Sequence, residues 1–207
     1  AALPYLSEAA AEFDAHEDWF RLAEAQAVLG DSKGQITSIE RAVLTASDET
    51  VIGDYNHTLA ALYATDAGHD AQAVERWCAG LAIQARVIDF DSGVARATDR
   101  SANWPKVAQT LSQSVMAGVP NADQAWVDVL TDKLQDGAET KSHWETLRKH
   151  SDDKAAVYVA YESRLINDAQ WTELATLYEA WAHDAPDMAD ELRLRRARLM
   201  DEKSLAG

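Results

Sequence analysis

The sequence predicts an all-α protein built from repeated pairs of short amphipathic helices. Three observations lead there. Apolar residues recur on a helical period along much of the 207-residue chain. Glycine and proline are scarce, at 9 and 4 residues, while Ala, Leu, Glu, Asp and Gln dominate. No alternating run of Val, Ile and Thr reads as a strand.

The stretch from His16 to Asp48 sets the pattern. Trp19, Leu22, Ala23, Gln26 and Leu29 fall on one helical face. Gly30 follows, and glycine tolerates the left-handed backbone just past a helix end. Ser32 offers a cap for a second helix, which carries Ile36, Ile39, Ala42 and Val43 on one face. Ser47-Asp48 closes it and can cap the helix that follows. Neither helix is long enough to be stable alone, so the pair needs neighbours over its apolar faces.

These residues resemble the tetratricopeptide repeat, a helix-turn-helix unit of about 34 residues. With His16 as the first position, Trp19 and Leu22 fall on the Trp and Leu positions, and Ala23 replaces the small Gly. Gly30-Asp31 matches the turn, and Ile39 and Ala42 match the large and small positions of the second helix. Gln26, Gln35 and Ser47 depart from the family's aromatic, alanine and proline, so the repeat is degenerate. The resemblance implies a right-handed α-solenoid of about five antiparallel helix hairpins, with extra terminal helices, as one domain over residues 1–207.

Along the chain, residues 4–15 read as a lone opening helix with Pro4 in its first turn and Leu3, Leu6, Ala10 and Phe13 on one face. After the unit at 16–48, a linker at Thr50–Gly53 absorbs residues in excess of one repeat. The second unit, 54–84, carries Leu59, Leu62 and Tyr63, then Gly68 as a stop, then Ala73, Val74, Trp77, Gly80 and Leu81. The third unit, 87–119, is weakest in its first helix. Its Asp89-Phe90-Asp91-Ser92-Gly93 run misplaces the glycine of a calcium loop, and Arg100 stands where the loop needs Glu, so a turn or helix start is the better reading. The fourth unit, 121–150, opens with Asn121 and Gln124 spaced as a capping box. The fifth, 155–186, turns Tyr158, Tyr161 and Leu165, then Leu174, Tyr178 and Trp181, inward and ends at Pro186. A terminal helix, 187–203, carries Leu192, Leu194 and Leu199 among four arginines. Trp104, Trp144 and Trp171 each open a Trp-x-x-aliphatic motif, which marks an internal repeat.

The balance of 35 Asp and Glu against 19 Lys and Arg leaves a formal charge of −16. Phosphate recognition needs a basic footprint, so nucleic acid is excluded as a partner, and anionic membrane surfaces are disfavoured. No run reaches the length of a membrane helix and no signal peptide is recognised, which leaves the cytoplasm and the bacterial periplasm both open. Cys78 is the only cysteine, so neither an internal disulfide nor a thiolate cluster is available. His143 and His150 share a helix face without a third ligand, and His183, Asp184 and Asp187 sit at a helix-end turn. No metal, cofactor or catalytic residue is therefore assigned. The tryptophans fall where the repeat needs bulk and are assigned to the core.

By resemblance, the first helix of each pair lines a groove. Glu17, Phe20, Glu24 and Ala27 would face it from the first unit, and Tyr55, Thr58, Leu62 and Thr65 from the second. Phe20 and Tyr55 are the exposed aromatic candidates. Relatives of the repeat that grip chaperone carboxylate tails use Lys, Arg and Asn here. Glu17 and Glu24 exclude that specificity and favour a basic or amphipathic peptide. The expected function is a non-catalytic interaction scaffold. The alternatives are a structural segment of a bacterial envelope or secretion assembly, and a helical enzyme or ligand-binding domain with an acidic or histidine site.

Overall fold

The structure is a computed structural model that describes residues 3–135 and 137–203. Among the described residues it is all-helical, with twelve α-helices and no strand. They are α1 (Leu3–Phe13), α2 (His16–Val28), α3 (Ser32–Thr45), α4 (Glu49–Tyr63), α5 (Asp70–Leu81) and α6 (Gly93–Ser101). There follow α7 (Trp104–Met116), α8 (Ala122–Asp132), α9 (Ala138–His150), α10 (Lys154–Asn167), α11 (Trp171–Asp184) and α12 (Ala189–Glu202). The chain divides into two compact units, Ala1–Val129 and Leu130–Gly207.

In the first unit, helix packing joins neighbours or next-but-one neighbours along the chain, chiefly α2 on α3 and α4 on α5. The first turn places its breakers as expected at one position and not at another. Gly30 adopts φ +74° behind α2, where a Cβ would be strained. The cap of α3 is Asp31, whose Oδ1 accepts from the Gly34 amide at 2.9 Å, so Ser32 is already helical. Asp48 caps α4 by accepting from Thr50 N at 2.8 Å and Val51 N at 3.3 Å. With those amides satisfied the helix starts at Glu49, and Thr50–Gly53 is its first turn rather than a linker. The helix also stops at Tyr63, before Gly68, which instead sits in a 3-10 turn pinned by Asp66 Oδ1 at 3.0 Å.

The core of these helices is Ala23, Ile39, Ala42, Tyr55 and Leu59, with Trp19, Ile36 and Val43 against it. Each fully buried aliphatic side chain stabilises by about 1.5–3 kcal/mol relative to exposure. Small residues set the helix spacing. Gly80 lies against the His57 ring, and a Cβ built there would meet His57 Cε1 at 2.9 Å. The ring is held in place because Nε2 donates to the Gln84 carbonyl at 3.1 Å. Burial lowers the pKa of His57 and favours the neutral imidazole. Gly80→Ala is therefore expected to destabilise the unit by about 1–2 kcal/mol, overpacking outweighing the gain in helix propensity. A lower urea midpoint would show it; an unchanged midpoint would mean the ring swings aside freely.

Further along, Asp89 Oδ1 accepts from Asp91 N at 2.9 Å and Ser92 Oγ caps α6 through Ala95 N at 3.1 Å. The Asp-rich run is thus a turn leading into a helix start. Trp104 is buried, packs edge-on against Trp77 at 5.8 Å, and donates from Nε1 to Asp99 Oδ1 at 2.6 Å. The capping box at Asn121 does not form. Asn121 takes φ 62°, and the Gln124 side chain donates to Asp128 Oδ1 at 2.9 Å instead of reaching back. Phe13 corrects another expectation, being 67 % exposed at the end of α1 while Ala10 is buried.

In the second unit α9 packs on α10, α10 on α11 and α11 on α12. The side chains assigned inward are buried: Tyr158, Tyr161, Leu165, Leu174, Tyr178 and Trp181. Leu192 and Leu199 join them, whereas Leu194 is half exposed, because its position on α12 turns to the other face. The Arg164 guanidinium closes the end of α8 by donating to the carbonyls of Thr131 and Leu134, the latter at 2.9 Å. Carbonyls that the helix leaves unpaired are satisfied this way.

Candidate functional site

Of the groove residues proposed from sequence, Phe20 and Tyr55 meet on the first unit as an aromatic pair. Phe20 of α2 stacks on Tyr55 of α4 with ring centroids 4.8 Å apart and planes 19° from parallel. Such offset pairs add about 0.5–1.5 kcal/mol beyond their burial. Tyr55 is 8 % exposed, which corrects its assignment as an exposed aromatic. The Phe20 ring covers it, and the Tyr55 phenol points to His16 Nδ1 at 3.1 Å. Phe20 remains half-buried and presents the aromatic part of the surface.

The acidic part stands around this pair. Glu17 and Glu24 are exposed on α2, one turn before and one turn after Phe20. Burial raises the Tyr55 pKa first, and the negative charges of Glu17, Asp54 and Glu24 raise it further. Those three carboxylates therefore act on one ring. Glu17 Oε1 lies 3.2 Å from His16 Nε2, and Asp54 pairs with Arg86. Thr58 is half-buried and its hydroxyl donates back to the Asp54 carbonyl at 2.9 Å, which leaves it a helix-internal role. Leu62 packs on the core cluster. Ala27 is exposed on α2, and Thr65 is exposed beyond the end of α4.

Sequence reasoning gave no role to His16 or Asp54. Both adjoin assigned residues, His16 before Glu17 and Asp54 before Tyr55, and adjacency was the only signal. The first unit carries 19 Asp and Glu against 8 Lys and Arg in residues 1–129, so the patch sits in a strongly negative field.

Other titratable groups are accounted for by structure. Asp184 accepts the Tyr158 hydroxyl at 2.6 Å. His143 is half-buried, and burial lowers its pKa. Cys78 is buried and its thiol is pushed up, which suppresses the thiolate. Among the described residues, no group of three or more His, Cys, Asp and Glu side chains is placed to hold a metal ion. No helix among them is long and apolar enough to cross a membrane.

What these features define is an all-helical protein with an acid-flanked aromatic surface on its first unit. The chain matches no protein-family model, no curated protein and no solved structure.

Proposed function

We propose that the chain is a non-catalytic binding scaffold whose helices pair as degenerate tetratricopeptide-like repeats of a right-handed solenoid, and that its first unit receives a basic, amphipathic peptide segment of a partner protein. The observation that carries this reading is the Phe20–Tyr55 stack with Glu17, Asp54 and Glu24 around it. A lysine or arginine side chain over an aromatic face gains from the ring quadrupole, and flanking carboxylates add charge-assisted hydrogen bonds. The apolar residues of the peptide would lie along Phe20 and Leu62. Packing between chain neighbours in the first unit supports the repeat reading, because stacked repeats contact their neighbours.

The test is titration of the intact chain with an amphipathic lysine/leucine peptide and with its glutamate/leucine counterpart. The basic peptide binds and the acidic one does not, and affinity falls with added salt. Glu17→Lys combined with Glu24→Lys weakens the basic peptide by about tenfold or more, two rim charges having changed sign. Both side chains are exposed, so circular dichroism should show an unchanged fold. Equal affinity of parent and variant would overturn the reading. Tyr55→Ala is unsuited to the purpose, because it empties the core.

A further inference from the structure

A cavity of about 360 Å³ opens in the second unit among α9, α10 and α11. That volume lies in the range of small-ligand sites, about 300–1,000 Å³. Its apolar wall is Trp144, Tyr161 and Leu165. The two rings stack at 4.8 Å, only 9° from parallel, and all three side chains are buried, so the wall is fixed. The indole N–H of Trp144 finds no acceptor among the described residues. A buried donor left unpaired is uncommon in a protein interior.

The polar lining carries both signs of charge. Lys141 of α9 and Glu173 of α11 form an ion pair, with 48 % and 29 % of their side chains exposed. Gln170 lies beside them and offers both a donor and an acceptor. The cavity also adjoins the starts of two helices, α9 after Gly137 and α11 after Gln170, and neither of these two residues makes a side-chain cap hydrogen bond. Lys141 N donates to the Gly137 carbonyl at 3.0 Å, and Leu174 N to the Gln170 carbonyl at 2.9 Å. The amides before them carry the partial positive charge of a helix start.

We propose that this cavity binds a zwitterionic α-amino acid with an apolar side chain. The carboxylate lies at Lys141, the ammonium at Glu173, and the side chain against Trp144, Tyr161 and Leu165. Other ligand classes fit less of the lining. A simple anion would face Glu173 in a unit with 16 acidic residues against 11 basic ones. A simple cation would face Lys141. An uncharged apolar molecule would desolvate the ion pair and replace none of its hydrogen bonds. A zwitterion exchanges the ion pair for two new ones and brings no net charge. This site is separate from the acidic surface of the first unit, and the two are tested independently.

The experiment is equilibrium dialysis of the intact chain with labelled L-phenylalanine, with phenylacetate and phenethylamine as unlabelled competitors. L-phenylalanine saturates one site. Phenylacetate lacks the ammonium and phenethylamine the carboxylate, and each competes about tenfold more weakly, the loss of one charge-assisted contact. Lys141→Gln and Glu173→Gln each weaken L-phenylalanine by about the same factor. Both positions are at least partly exposed, and circular dichroism checks their fold. No saturable binding at millimolar L-phenylalanine overturns the proposal. So does competition by either analogue as strong as that of unlabelled L-phenylalanine, or parent-like binding by both variants.

Discussion

Trp181→Ala is expected to destabilise the second unit by about 3–5 kcal/mol, the range for emptying a buried tryptophan site. Trp181 is 4 % exposed and stacks on Tyr158 at 5.0 Å with the planes 7° from parallel. Tyr158 cannot easily move to fill the space. Its hydroxyl is bound to Asp184 at 2.6 Å, and the Arg148 guanidinium lies 5.6 Å from its ring centroid. A site whose neighbours are pinned relaxes little, which places the loss toward the upper end. Domains of this size are typically stable by only about 5–15 kcal/mol, so the variant would sit near its unfolding threshold. Trp171→Ala is the control. That ring is only partly buried, with Lys203 Nζ 4.3 Å from its centroid, so its truncation should cost less than that of Trp181, including about 0.5–1 kcal/mol for the lost cation–π contact. Denaturation followed by far-ultraviolet circular dichroism separates the two. Equal losses would mean that Trp181 is not a core residue of the unit.

The contrast between those two tryptophans shows what the sequence holds. Both occupy regular positions in Trp-rich helices, and periodicity assigns both to the core. Only the packing of α11 distinguishes them. Local signals transferred well where the physics is local: Gly30 behind α2 and Asp48 before α4. They failed where a repeat length was imposed on the chain. Repeat length makes Thr50–Gly53 a spare linker, whereas the Asp48 cap makes it helix. The candidate surface was partly legible for the same reason. Glu17, Phe20 and Glu24 share a face by spacing alone, but the stack that buries Tyr55 joins two helices and leaves no trace in either period. The cavity lined by Trp144 and Glu173 was illegible, since it depends on where three helices meet.

Unit two should also lose stability as pH rises above about 10, ahead of ionisation of its buried tyrosines. Tyr158 and Tyr178 are both buried, and burial is the main cause that raises their phenol pKa values above the ordinary 10.0. Each phenol also donates to a carboxylate at 2.6 Å, Tyr158 to Asp184 and Tyr178 to Glu162. Ionising either would remove the donor and set two anions face to face. Because the folded pKa values are raised, the contribution is complete below the unfolded value of 10.0. Above it the unfolded chain releases protons that the folded chain retains, so stability falls with pH. Denaturant midpoints measured from neutral pH to about pH 11 should decline, and Tyr158→Phe combined with Tyr178→Phe should make the decline shallower. At neutral pH the double variant is itself weaker, by about 1.5–3 kcal/mol for each hydrogen bond to a charged acceptor that is lost. The loss at Glu162 should be the smaller of the two, because Arg195 stands 3.4 Å away and keeps that carboxylate paired. A variant with the same alkaline slope as the parent would show that these two phenols ionise as freely in the folded chain as in the unfolded one.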